Sequence, residues 1–280
     1  MKNLEAEIKR AAEAIHNSDA IFITAGAGLG VDSGLPDFRG NHGFWKAYPQ
    51  IGKLGLSFME MANPTWFETK PLMAWAFYGH RLNLYRSTVP HDGFTKLLKI
   101  AETKPQKYFV FTSNVDGQFQ KAGYNPELIE ECHGSIHHLQ CTTPCCQKIW
   151  SANETVVELD IETFTTTSPL PLCPHCGAIA RPNILMFGDW NWIHTRTEEQ
   201  SQRCINWLNN LIQQKKQIVV IELGAGNAVP TVRMKSQQIG RLPNSTLIRI
   251  NPGDFIVPQG SIGLPFGAKE GIDLILEHLK

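Results

Sequence analysis

The groups in this chain best suited to chemistry are a glycine-rich turn running into Pro36-Asp37-Phe38-Arg39, an Asn114-Val115-Asp116 triplet, and His133-Gly134. The turn reads Gly26-Ala27-Gly28-Leu29-Gly30-Val31. Glycine removes side chains where a pyrophosphate must approach the backbone. Val31 stands where a full G-x-G-x-x-G would have its third glycine, and no second strand ending in an acid follows about 20 residues later, as a dehydrogenase would need. An acid, an aromatic ring and a base (Asp37, Phe38, Arg39) so close to a phosphate loop indicate a loop that binds a dinucleotide and also takes part in chemistry on it.

Asn114 and Asp116 follow a strand-like run, so they belong at the carboxyl end of a sheet, where open α/β folds bind ligands. An amide and a carboxylate there can hold ribose hydroxyls and a carboxamide; the same pair can equally form an Asx turn that caps the next helix. His133 follows another strand-like run and can serve as a general base near pH 7, with Gly134 leaving room for substrate. A histidine alone is more often structural, and His137 and His138 stand nearby; the company of the other motifs selects His133.

Cys173-Pro174-His175-Cys176-Gly177 has the form of a zinc knuckle. Its partner pair is Cys141 with Cys145 or Cys146; Cys145 is preferred and Cys146 stays open. Thiolates in all positions, with none left open, describe a structural ion. Tyr78 and Arg81 are three apart and share a face if the segment is helical. Together they can clamp a carboxylate, or Arg81 can simply point to solvent from an amphipathic helix.

The elements that must position these groups are readable from periodicity. Residues 4–15 carry a helical apolar stripe, and residues 269–279 form a last helix. Strand-like runs cover 20–24, 108–112, 128–132, 218–223 and 247–250, separated by long, partly helical segments. That alternation predicts an α/β protein with a parallel sheet covered by helices on both faces. Two segments break it. Residues 41–85 are rich in Phe, Trp, Met and Tyr and look helical; residues 138–180 hold the cysteine pairs and a Thr/Ser/Pro stretch, 163–171, that reads as a loop. Both are expected to form a smaller module, with the site in the cleft between it and the sheet.

The totals exclude several classes. At 280 residues and 42% apolar content the chain can form one large domain, or a large and a small one. A net charge of zero gives nucleic acid no electrostatic footprint. No apolar run is long enough to span a membrane, and the N-terminal residues lack the apolar core of a signal peptide. Seven cysteines, mostly clustered, favour a metal site in a reducing compartment over disulfides, so a cytoplasmic protein is expected. The sequence does not indicate an oligomeric state.

Taken in order, Gly26-Ala27-Gly28, Gly34-Leu35-Pro36-Asp37-Phe38-Arg39, Asn114-x-Asp116, Ala122-Gly123, His133-Gly134, two cysteine pairs, Arg181-Pro182-Asn183 and Phe187-Gly188-Asp189 resemble the sirtuins, the Sir2 family, over nearly the whole chain. The resemblance implies a Rossmann-like NAD-binding domain made of residues 1–40, 86–137 and 181–280. It also implies a small domain made of a helical insertion (41–85) and a zinc ribbon (138–180). It implies NAD as co-substrate, one structural zinc, an acylated-lysine protein as partner, and no nucleic acid or membrane partner. In the implied reaction the acyl oxygen of acyl-lysine attacks the ribose carbon bearing nicotinamide. Nicotinamide leaves, a ribose hydroxyl deprotonated by histidine attacks the acyl carbon, and free lysine and O-acyl-ADP-ribose result.

Carried onto this chain, His133 is the base, Asp116 holds the carboxamide and Asn114 the ribose, with Ser113 beside them. Phe38 covers the reacting carbon, and Asp37 and Arg39 order the loop around the diphosphate that Gly26, Ala27 and Gly28 admit. Gly224, Ala225, Gly226 and Asn251 take the phosphate and adenosine end. Ile184, Leu185, Met186, Phe187 and Gly188 pair with the substrate peptide as an added strand. Tyr78 and Arg81, following Phe77, are similar to the pair in sirtuins that remove succinyl, malonyl or glutaryl groups. The chain departs from the family pattern at Gly30 and Ser113, where serine and glutamine are usual, at Gly224-Ala225-Gly226 in place of Gly-Thr-Ser, and at Asp189, which continues into Trp190-Asn191-Trp192. The substitutions at Gly30 and Ser113 keep open an alternative: ADP-ribosyl transfer or NAD glycohydrolysis.

Overall fold

The computed structural model describes residues 2–37, 40–160 and 162–279. Eleven strands lie among them: β1 (Ala20–Ala25), β2 (Tyr108–Thr112), β3 (Ile129–Glu131), β4 (Gly134–Cys141), β5 (Trp150–Ser151), β6 (Leu159–Asp160), β7 (Thr165–Thr166), β8 (Ala180–Ile184), β9 (Ile218–Leu223), β10 (Ser245–Ile250) and β11 (Ile262–Leu264). Six of them form one parallel sheet in the order β11-β10-β9-β1-β2-β3. The expected strands are all present. β11 is the addition; its three residues are too few to show a pattern in sequence.

Alternation along β1 explains why the sheet needs helices on both faces. Ile21, Ile23 and Ala25 join the core formed with helices Lys2–Asn17, Asp92–Glu102 and Ala268–Glu277. Ala20 and Phe22 join the opposite core with helices Thr195–Gln213 and Thr231–Gly240. Every residue of β1, β2 and β9 is buried, as central parallel strands require. One ion pair is built into this sheet. Glu222 of β9 lies beside Arg249 of β10 in register, and Arg249 Nε donates to Glu222 Oε1 at 2.6 Å with both side chains inaccessible. Losing one partner would strand a buried charge at a cost of about 3–5 kcal/mol.

A third core holds the rest. Phe44, Tyr48, Phe67, Trp75, Phe77 and Tyr78 pack in it together with Ile136, Leu139, Ala180 and Ile184. Residues 41–85, expected to be helical, break into the short helices Gly40–Ala47, Pro49–Lys53, Phe58–Met61 and Trp66–Thr69 before the long helix Pro71–Ser87. The prolines at 49 and 71 each start a helix. β4, β5 and β8 form an antiparallel sheet that carries the cysteines. The stretch 163–171, expected to be a loop, contains β7, which pairs with β6. β4 and β8 run through the expected borders at 137/138 and 180/181, so the two parts share strands there.

Sheet topology fixes where a ligand can enter. From β1 the chain goes to β2 and β3 on one side, then crosses to β9 and β10 on the other. The crevice beyond the carboxyl end of β1 is therefore the topological switch point, where open α/β sheets bind ligands.

Candidate active site

Four loops leave the carboxyl ends of β1, β2, β3 and β9 and converge on a cavity of about 640 Å³, within the range of ligand-binding clefts. After β1 the backbone turns at Gly26 into a 3₁₀ helix, Ala27–Ser33. Gly26 N–H donates to Leu223 O and Gly28 N–H to Gly224 O, both at 3.0 Å. The two loops are thus laced backbone to backbone. A Cβ on Gly26 would stand 2.9 Å from Ala225 Cα; on Gly224, at φ +61, it would stand 2.3 Å from Leu29 N. Only glycine fits either position. The result is a wall of bare main chain, the kind of cradle a diphosphate needs. Gly26, Ala27, Gly28, Gly224, Ala225 and Gly226 all line the cavity.

Asn251 takes a different position. It is buried, and its amide holds the neighbouring loops: Nδ2 donates to Ala225 O at 2.8 Å while Oδ1 accepts from Gly253 N and Asp254 N. Its side chain shapes the 224–226 loop from behind rather than lining the cavity. Gly30 also has a packing reason, since a Cβ there would lie 3.1 Å from the Leu35 side chain.

After β2, Ser113 N–H donates to Ala25 O at 3.1 Å and Asn114 Nδ2 to Gly26 O at 3.0 Å, which fastens this loop to the first. Ser113, Asn114 and Asp116 line the cavity. The Asx turn is present as well: Gln118 N–H donates to Asp116 Oδ1 at 3.0 Å. Desolvation pushes the Asp116 carboxyl up to about 6; Glu131 adds to the rise, while the Gln118 N–H and Arg81 oppose it. His137 Nε2 meets Asp116 O at 2.9 Å, and its ring lies where a Cβ on Gly117 would stand. His137 is therefore a support for the Asp116 loop.

His133 lies between β3 and β4 and faces the cavity. Burial holds its imidazole below the usual range, so it is neutral and able to accept a proton at pH 7. Gly134, at φ +76, has Asn183 O where its Cβ would be, 2.1 Å away, so β8 is drawn against the histidine turn. Leu185 N–H donates to His133 O at 3.0 Å and Phe187 N–H to Ala62 O at 2.9 Å. Ile184, Leu185, Met186, Phe187 and Gly188 all line the cavity. Met186 N–H donates to Asp189 Oδ2 at 3.3 Å, so three successive N–H groups hold this segment in place. Arg181 and Asp189 brace its end with a buried two-point contact at 2.7 and 2.9 Å.

The far end of the cavity is made of side chains. Tyr78 and Arg81 face it from helix Pro71–Ser87. Arg81 is 6% exposed, among the rings of Phe58, Phe77, Tyr78 and Tyr85 at 5.3–5.9 Å. Its Nε and Nη2 both donate to Tyr85 Oη, at 3.1 and 3.0 Å. Tyr85 escapes a motif search, yet its i+4 spacing from Arg81 is a usable signal. The buried Tyr78 hydroxyl has no hydrogen-bond partner among the described residues, and desolvation pushes it up to about 12, so it remains a donor. Asp37 lies on the cavity wall, whereas Phe38 and Arg39 lie outside the described residues.

The cysteines sit off the cavity wall. Cys141, Cys145, Cys173 and Cys176 have all their sulfurs within 4.8 Å of one another, with Cys141–Cys176 at 3.6 Å and Cys145–Cys173 at 3.7 Å. A tetrahedron of ~2.3 Å Zn–S bonds puts sulfurs about 3.8 Å apart. Cys146 is 3.8 Å from Cys145 but outside the set, which resolves the choice between them. Four protein ligands leave no open position, so a zinc ion here is structural.

The Sir2 family model matches residues 26–211. The chain is 31% identical over 179 residues to the NAD-dependent protein deacylase of Aquifex aeolicus, covering 62% of this chain and 64% of that protein. It is 28% identical over 229 residues to the NAD-dependent protein deacylase of Leptospira interrogans, covering 81% and 79%. Among solved structures, a Sir2 homolog–NAD complex superposes with a TM-score of 0.69 at 23% identity, over 96% of this chain and 93% of that one.

Proposed function

The chain belongs to the Sir2 family, and from that premise we propose that it is an NAD-dependent protein lysine deacylase, releasing nicotinamide and O-acyl-ADP-ribose. The observation that carries this is the meeting in one cavity of a glycine-walled cradle, Asn114 and Asp116, and a neutral, half-buried His133. NAD supplies the reactive ribose carbon and its leaving group. Its diphosphate fits against Gly26, Ala27, Gly28 and the Gly224–Gly226 loop, with Asp37 nearby. Asn114 Oδ1 accepts from the ribose, and the Asp116 carboxylate accepts from the carboxamide. Phe38 and Arg39 are assigned to the reacting end of NAD by the motif alone. His133 takes a proton from a ribose hydroxyl and so makes it a nucleophile for the acyl carbon. Residues Ile184 to Gly188 hold the acyl-lysine peptide along their edge.

Arg81, with the Tyr78 and Tyr85 hydroxyls around it, supports a preference for acyl groups that end in a carboxylate, such as succinyl. A fixed cation walled by rings discriminates strongly, because a neutral acyl end gives it no counter-charge. We assign the four cysteines one structural zinc in the small module, and take residues 41–85 and 138–180 as that module, joined to the sheet body through β4 and β8. Reduced thiolates in this role suit a cytoplasmic protein. A second reading, NAD cleavage with transfer of ADP-ribose or hydrolysis, is favoured by Ser113, a short side chain on the cavity wall.

One experiment separates them: NAD with acetyl-, succinyl- and malonyl-lysine peptides, followed by mass spectrometry for wild type and His133→Ala. Deacylation by wild type, reduced about 10²–10⁴-fold in the variant, is expected. Nicotinamide release that does not depend on the peptide would select the second reading.

A further inference from the structure

We propose that Trp190 is a subsite for a large apolar side chain flanking the acyl-lysine in the protein substrate; this rests on the deacylase reading above. The chain has seven tryptophans. Trp45, Trp66, Trp75 and Trp207 each donate their indole N–H to a backbone carbonyl and pack on a core. Trp150 packs on the core of the small module, and the Trp192 indole N–H is buried. Trp190 alone is 96% exposed, and its indole makes no hydrogen bond or ring contact among the described residues. Tryptophan is enriched at interfaces, where one face of the ring is covered by a partner while its polar edge stays wet.

Its position says which partner. Trp190 lines the same cavity as His133, at the rim. The turn that presents it is held rigidly: Asp189 binds Arg181 at two points and also accepts from Met186 N and Asn191 N. Gln140 Nε2 holds Asn191 O at 2.8 Å on the other side of the indole. The same segment exposes Leu185, also on the cavity wall. Asp189 is neutralised by Arg181, so the rim beside Trp190 is apolar rather than anionic. An acyl-lysine peptide added along Ile184 to Gly188 must run past this indole, and its side chains alternate toward it.

The test uses the whole protein with acyl-lysine peptides that carry Gly, Phe, Leu or Arg beside the modified lysine. Wild type should show a KM for the Phe and Leu peptides about tenfold below that for the Gly peptide. Trp190→Ala should collapse that ratio and Trp190→Phe should restore much of it. Equal losses on Gly and Phe peptides in Trp190→Ala, or a wild-type preference for Arg over Phe, would overturn the proposal. Binding is read separately: the Phe peptide should shift indole emission to shorter wavelength in wild type and not in Trp190→Phe, and no shift in wild type also overturns it. If wild type binds the peptide but turns over no acyl-lysine, the deacylase reading fails while the subsite stands.

Discussion

The two ends of the cleft are built from different materials. At the phosphate end the wall is main chain: Gly26, Gly28 and Gly224 bring two loops within hydrogen-bond distance, with no side chain between them and a ligand. At the acyl end the wall is side chain: Arg81, Tyr78 and Tyr85 arrive from one helix and Phe58 from another. A backbone wall suits the recognition proposed for it, of a diphosphate common to every turnover. A side-chain wall can be retuned residue by residue without touching cofactor binding. The difference predicts that a single methyl group ruins one end, whereas the other tolerates truncation and changes only what it accepts.

The strongest way to break the comparison is Gly224→Ala. The added Cβ would meet Leu29 N at 2.3 Å and Gly28 C at 2.4 Å, both backbone atoms that cannot swing aside, and φ +61 adds strain. NAD affinity measured by calorimetry should fall by more than about 100-fold, with Tm lowered but the sheet retained by circular dichroism. Affinity within threefold of wild type would mean that the cradle is not read through bare backbone.

Next in size is Arg81→Met, which keeps the apolar stem of the side chain and removes the charge. Lost charge-assisted hydrogen bonds of ~1.5–3 kcal/mol should lower kcat/KM for succinyl-lysine about 10–100-fold and change acetyl-lysine turnover little. The fold should be retained with Tm modestly lowered, because the buried Tyr85 hydroxyl loses its two donors. Equal loss on both acyl groups would make Arg81 a structural residue and dissolve the contrast between the two ends.

The same contrast explains what could be read from the sequence. Main-chain features leave local marks: glycines after a strand-like run located the cradle, and continuous apolar runs located the buried strands β1, β2 and β9. Side-chain features leave marks only when their partners are near in sequence. Tyr78 and Arg81 were visible at i+3, but the weight of the pair comes from Phe58 and Tyr85, which the fold supplies. Asn251 was visible as a polar residue after a strand; that it is buried and holds Ala225 depends on two loops meeting in space. The cysteine spacing favours Cys145 but keeps Cys146 open, and the placement of Cys173 and Cys176 decides for Cys145.

The smallest expected effect concerns Asp116, which stands where the two ends join, and its sign is informative. Its carboxyl is raised to about 6, chiefly by desolvation, among Glu131, Arg81, Tyr85 and the His137 ring. Above that pH the ionised form accepts from a carboxamide; below it the site loses that acceptor, so the KM for NAD should rise about tenfold between pH 7 and pH 5. The folding contribution runs the other way. The folded state holds the proton up to about pH 6 while an unfolded aspartate loses it near ~4, so this group's stabilising contribution is present at low pH and lost as pH rises through that window. Asp116→Asn should flatten both dependences at once. His133 shifts in the opposite direction, toward lower values, because burial disfavours its charged form, so its protonation appears in kcat at more acidic pH than that of a solvated imidazole. A KM for NAD that stays level from pH 7 to pH 5, with the stability trend intact, would show that Asp116 titrates in the cleft without holding the cofactor, and the carboxamide would then need another partner on the wall that Asn114 and Ser113 share.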